Sequence, residues 1–203
     1  MTEISYKAEI YRKLIHLSSL WMVVAIYFLT EMRAVILFSF CVTCVLLFEI
    51  LRRKSELVDT IVRKSFLNNI FRKHESAKSF SPSGAFFVVL AALLSVLFFS
   101  KVIAATAFLI MILGDTAAAL IGRRYGKTKF FGKSLEGSMS FFIVSLFILS
   151  VSAFHGLPIN ILSIVFTALM ATFLELFSKK LHLDDNLTIV IGVGAILTVL
   201  ANL

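Results

Sequence analysis

Apolar residues fall into seven blocks, at roughly 14–30, 34–51, 84–100, 102–121, 138–154, 158–177 and 187–203. Each is 17 to 20 residues long, close to the ~20 residues that cross the hydrocarbon core of a bilayer. Backbone polar groups in lipid must be satisfied within their own segment, so the blocks are expected to be helices. Little more than Lys101 separates the third from the fourth, which predicts a tight helical hairpin. The pattern therefore predicts an all-α integral membrane protein, a single polytopic domain over 1–203 with about seven transmembrane helices.

The polar connections orient this arrangement. With the N-terminus on the cytoplasmic side, segments 1–13, 52–83, 122–137 and 178–186 face inward and hold 18 of the 20 Lys and Arg. Basic segments resist translocation, so the pattern predicts a cytoplasmic N-terminus and a C-terminus on the opposite side. Within the second inner segment, Leu57, Val58, Ile61, Val62, Phe66, Leu67, Ile70 and Phe71 recur at helical spacing among Arg63, Lys64, Arg72 and Lys73. That pattern predicts an amphipathic helix over about 56–73 at the cytoplasmic interface, either anchored on anionic lipid or walling a site there.

Composition agrees with the membrane reading: 59% of residues are hydrophobic and 16% charged, against about 25% charged in soluble domains. The net charge of +8 is not a nucleic-acid footprint, because no basic patch is interleaved with stacking aromatics on a soluble module. Cys41 and Cys44 form a C-x-x-C, but inside an apolar run a thiol behaves as a small hydrophobe. No small-x-small cleavage site follows the first apolar block, which reads as a retained anchor.

Chemistry concentrates around "GKTKFFGKSLEG", residues 126–137. It misses the P-loop spacing, and it follows a membrane span where a P-loop follows a strand. Even so, Gly114, Gly122, Gly126, Gly132 and Gly137 fall within 24 residues, beside Arg123, Arg124, Lys127, Lys129 and Lys133. Glycines let backbone N–H groups approach an anion and the bases neutralise it, which suits a phosphate-rich ligand. Asp115 lies in the inner half of the fourth block, where a carboxylate is costly and faces a cavity or partner. Glu49, Glu175, His16 and the Asp184-Asp185-Asn186 run also lie near inner ends. Each has a structural alternative: Glu49 can pair with Arg52 or Arg53, Glu175 with Lys179, His16 can be interfacial, and Asp184 or Asp185 can cap the last helix. The inventory suits a nucleoside triphosphate carrying Mg²⁺, which takes one or two carboxylates plus phosphate oxygens and waters.

The stretch "GDTAAALIGRRYGKTKFFGKSLEGSMSFF" resembles the CTP-dependent lipid kinases, the family of dolichol kinase, phytol and farnesol kinases and the CTP-dependent diacylglycerol kinase. Its central block is also similar to phosphatidate cytidylyltransferase. "RKLIHL" at 12–17, "HESAKSFSPSGAFF" at 74–87 and "DDNLTI" at 184–189 fit the kinase side, whereas the Lys-Asp and His-Gly-Gly signature ending the cytidylyltransferases has no match in "LHLDDNLTIVIG". The resemblance implies CTP as phosphate donor and Mg²⁺ as cofactor. It implies a nucleotide-metal role for Asp115 and a CTP site containing Gly114, Gly122, Arg123, Gly126, Lys127, Lys133, Ser134 and Glu136. Asp185 and Asn186 are further candidates, and Arg12, Lys13, His16, Glu75, Gly84 and Asp184 belong to its weaker motifs; Glu175 is a possible site residue by its position alone.

The expected reaction is transfer of the γ-phosphate of CTP to a lipid hydroxyl at the cytoplasmic face, an isoprenoid alcohol before diacylglycerol. Lys133 and Arg123 would neutralise developing charge, and Glu136 or Asp185 would orient the hydroxyl. The rival readings are CMP transfer to a phospholipid, a transporter, and a purely structural membrane protein.

Overall fold

The computed structural model describes residues 6–55, 82–130, 132–178 and 184–203. The expected interfacial helix at 56–73, Glu75 and Lys179 lie outside the described residues.

The described chain is helical apart from one short hairpin. In order it forms α1 (Tyr6–Ser18), α2 (Leu20–Phe28), α3 (Glu31–Lys54), α4 (Gly84–Phe98), α5 (Lys101–Leu109), a π-helical turn (Ile110–Gly114), α6 (Asp115–Tyr125), β1 (Lys129–Phe130), β2 (Lys133–Ser134), α7 (Leu135–Phe154), α8 (Ile161–Phe177) and α9 (Asp185–Ala201). Among the described residues, three helical stretches are long and apolar enough to cross a membrane: α3, the continuous run from Lys101 to Tyr125, and α7. Helices α4, α8 and α9 are apolar but shorter, at 15, 17 and 17 residues. At 1.5 Å per residue these span roughly 23–26 Å, less than a ~30 Å core.

The first apolar block behaves differently from a single span. The helix of the basic "RKLIHL" stretch ends at Ser18, and α2 starts afresh at Leu20 and runs for nine residues. The break is local: Ser18 Oγ donates to the Ile15 carbonyl at 2.6 Å, and the Ser19 amide donates to the His16 carbonyl at 3.0 Å. Side-chain hydroxyls that bond nearby carbonyls compete with the helical ladder.

The run from Lys101 to Tyr125 is the central helix, and its small residues explain why. Ala104, Ala107, Phe108, Ile110, Met111 and Ile112 are all fully buried, with α2, α7 and α9 packed around it. The predicted hairpin is present, since α4 ends at Phe98 and α5 begins at Lys101, whose amine donates to the Leu29 carbonyl. A cavity of about 300 Å³ lies at this end, lined by Ile26, Glu31, Ala34, Phe99, Lys101 and Ala104 among others. Outward-facing Phe40, Phe98, Phe147, Phe154 and Ile161 leave an apolar exterior, the kind of surface that marks a lipid or protein contact.

Candidate functional site: a buried charge cluster

The chemistry-bearing residues gather at the opposite end of the bundle from that cavity. Helix α1 supplies the first part. Glu9, Lys13 and His16 are spaced four and three residues apart, which stacks them on one helical face, and α1 lays that face on α6. The Lys13 amine donates to Asp115 Oδ2, and His16 Nε2 lies 3.7 Å from the same oxygen. The His16 ring also hydrogen-bonds the backbone at Met111, inside the π-helical turn. Asp115 follows that turn directly, and π-helical insertions recur at functional sites.

Glu9 is fully buried and holds two guanidiniums, Arg12 at 2.5 Å and Arg123 at 3.2 Å. Burial works against its charge, but the hydrogen bond and charge of Arg12, with Arg123 and Lys13 behind them, hold its carboxyl below the ordinary value. Burial likewise opposes the charge on Arg12, yet its bond to Glu9 and the fields of Asp115 and Asp185 favour it further. Arg12 thus links the Asp115 group to a second one.

That second group centres on Lys133. The β-hairpin pairs Lys129 with Ser134 and Phe130 with Lys133, and Gly132 supplies the φ of 80° that the turn needs; only glycine adopts this freely. Lys133 Nζ reaches Glu175 Oε1 at 2.6 Å, the Glu175 main-chain carbonyl, and Asp185 Oδ2 at 3.4 Å. Ser178 donates to Asp185 Oδ1. Glu175 also lies within electrostatic reach of Asp115, so the two groups form one cluster. Its four bases, Arg12, Lys13, Arg123 and Lys133, face four acids, Glu9, Asp115, Glu175 and Asp185.

Other candidates hold the frame. Ser134 caps α7 by accepting from the Gly137 amide at 3.1 Å. Around it α6 and α7 cross in close contact: a Cβ at Gly137 would lie 2.7 Å from the Ala118 carbonyl, and one at Gly122 would lie 2.5 Å from Ser134 Oγ. Gly126 is crowded against the Gly122 carbonyl, and Gly114 against the Phe141 ring. These glycines permit close packing. Glu136 Oε1 accepts from the amides of Lys127 (2.9 Å) and Thr128 (3.3 Å), so this carboxylate occupies the backbone donors expected to meet a phosphate. The Lys127 side chain is exposed.

At the α9 end Asp184 is the N-cap, accepting from the Asn186 amide and side chain at 2.9 Å each. Gly84 lies across from Asn186, and the preceding Ser83 donates from its backbone to Glu49 Oε1 at 2.8 Å. Glu49 pairs with Arg53 at 3.6 Å, as its position predicts. Glu175 pairs across the fold with Lys133, and its expected partner Lys179 lies outside the described residues. Sequence reasoning missed Glu9 and Ser178. Glu9 could have been found from its helical spacing to Lys13 and His16, whereas nothing local marks Ser178.

The donor set bears on a metal. Among the described residues no group of three or more His, Cys, Asp or Glu side chains could hold one. Asp115 is nevertheless one-fifth exposed, and its contacts with Lys13 and His16 both fall on Oδ2. A single carboxylate of that kind fits Mg²⁺ arriving with a polyphosphate, which needs only one or two protein carboxylates.

An all-helical bundle with apolar, membrane-length helices and a buried ionic cluster at one end is the class this chain defines. It belongs to the family of the uncharacterized protein RP860 of Rickettsia prowazekii, with which it is 32% identical over 181 residues, covering 88% of this chain and 87% of that one. It is also 34% identical over 124 residues to the uncharacterized protein MJ1137 of Methanocaldococcus jannaschii, 60% of this chain and 58% of that protein. No family model matches the chain, and no solved structure does.

Proposed function

We propose that this protein is a CTP-dependent lipid kinase, which transfers the γ-phosphate of CTP to the hydroxyl of a membrane lipid. The acceptor is a polyprenol, dolichol, phytol or farnesol type of alcohol, with diacylglycerol second. The observation that carries the reading is the gathering of four acids and four bases at one end of an otherwise apolar bundle, with Glu9, Lys13, Glu175 and Asp185 buried. Buried ionisable groups are costly in a membrane setting and mark functional sites. The choice of CTP rests on the resemblance of the 114–142 stretch to the lipid kinases. Seven spans, the first of them broken at Ser19, with the N-terminus cytoplasmic and the C-terminus opposite, belong to the same reading. It is supported by the seven apolar blocks and by the 18 of 20 basic residues in alternate connecting segments.

Phosphoryl transfer needs positioning and charge neutralisation more than covalent help. Asp115, oriented by Lys13 and His16, is the carboxylate that would hold Mg²⁺ arriving with the nucleotide's phosphates. Mg²⁺, when bound, would neutralise phosphate charge and polarise the bond being broken. Arg123 and Lys133 supply positive charge beside it. Asp185, fixed by Ser178, is better placed than Glu136 to orient the acceptor hydroxyl, because Glu136 holds the loop.

Product analysis separates this from the cytidylyltransferase alternative. Purified protein with CTP, Mg²⁺ and a lipid extract is expected to release CDP and a phosphorylated lipid. Pyrophosphate together with a CDP-lipid would refute the kinase and establish CMP transfer.

A further inference from the structure

Lys133 is outnumbered. Its ammonium meets two carboxylates and the Glu175 carbonyl, which lies in the last turn of α8, at the negative end of the helix dipole. Glu175 is 3% exposed, and its second oxygen, Oε2, has no hydrogen-bond partner among the described residues. The two carboxylates in contact with Lys133 thus outnumber its single positive charge, while Arg12 acts on Asp185 from outside that contact. A polyphosphate arriving at Lys133 is repelled by this surplus. It must also draw the ammonium from a carboxylate that stays buried, and a buried charge losing its partner is heavily penalised.

We propose that Glu175 is a positioning residue that competes with the phosphate ligand for Lys133, and so sets how tightly the site holds a polyphosphate. The empty site keeps Lys133 on Glu175, and an occupied site moves it to the ligand. Asp185, 3.4 Å from the ammonium against 2.6 Å for Glu175, competes in the same sense but less. This inference rests on the reading of the cluster as a phosphate site.

The sign of the effect makes it testable, because a purely structural ion pair predicts the reverse. Binding of inorganic tripolyphosphate to the full chain in detergent would be measured by calorimetry. Glu175→Gln keeps the shape and removes the charge, and is expected to tighten binding by about tenfold, a change worth about 1.4 kcal/mol. Asp185→Asn should tighten it by a smaller factor, and adding Lys133→Met to Glu175→Gln should cancel the gain. Unchanged or weaker binding by Glu175→Gln, with the wild type binding normally, overturns the competition and leaves the phosphate site intact. Wild-type protein that binds no tripolyphosphate removes both. Where Glu175→Gln does not fold, Asp185→Asn decides the question in its place: tighter binding supports the competition, and unchanged or weaker binding overturns it.

Discussion

At the scale of single residues, each charge of the cluster has a partner of opposite sign. Glu9 shows this best, because it touches Arg12 from its own helix and Arg123 from α6. Its carboxyl sits below the ordinary value of 4.5, so the ionised form favours the fold. The stabilisation is complete at neutral pH and drains away as pH falls below 4.5 through the lower, folded value. Glu9→Gln should therefore destabilise the protein at neutral pH by about 3 kcal/mol, as expected when one partner of a buried pair is removed. Thermal unfolding in detergent across pH checks it: the gap between wild type and variant should close on acidification. Glu9 was not legible as a site residue, since a carboxylate in a polar N-terminal segment looks solvated. Burial by α6 is a tertiary fact.

At the scale of elements, the glycine-rich block does two jobs that look alike in the sequence. Five glycines among basic residues read equally well as a phosphate cradle and as a close helix crossing. Gly122 and Gly137 serve the crossing of α6 on α7, and only Gly132 takes a turn conformation within the hairpin. Gly137→Ala would set a methyl 2.7 Å from the Ala118 carbonyl and 3.2 Å from the Gly122 Cα. Neither is a flexible side chain that can yield, so a loss of about 1–3 kcal/mol is expected, read as a lowered unfolding temperature. An unchanged unfolding temperature would mean the crossing is looser than these distances imply. The helices themselves were legible, because apolar blocks of membrane length leave few alternatives. The break at Ser19 and the π-helical turn before Asp115 were not, since neither interrupts the apolar pattern.

At the scale of the whole molecule, one end of the bundle holds the ionic cluster and the other holds Lys101 and Glu31 beside a cavity. The asymmetry was legible, because nearly all the charge falls in segments that alternate with the apolar blocks. Asp115, Lys133 and Asp185 were also legible as separate candidates. Their convergence was not: Lys133 lies 18 positions after Asp115 and 52 before Asp185, and only the packing of α9 against α8 and the π-helical turn, with β2 carrying Lys133, brings them together. The Arg12, Lys13 and His16 stretch, weak as a motif, gained most from the fold, since it supplies the partners of Asp115.

The most direct test of the kinase reading follows label from CTP into lipid. Purified protein in detergent, with Mg²⁺ and a mixed lipid extract, would receive CTP labelled at either the γ- or the α-phosphate. Label should enter lipid from the γ position alone, and Asp115→Asn should cut its rate at least ~100-fold, consistent with the loss of a charge-stabilising group at the reacting phosphate. Entry from the α position, or full activity in a folded Asp115→Asn protein, would contradict it.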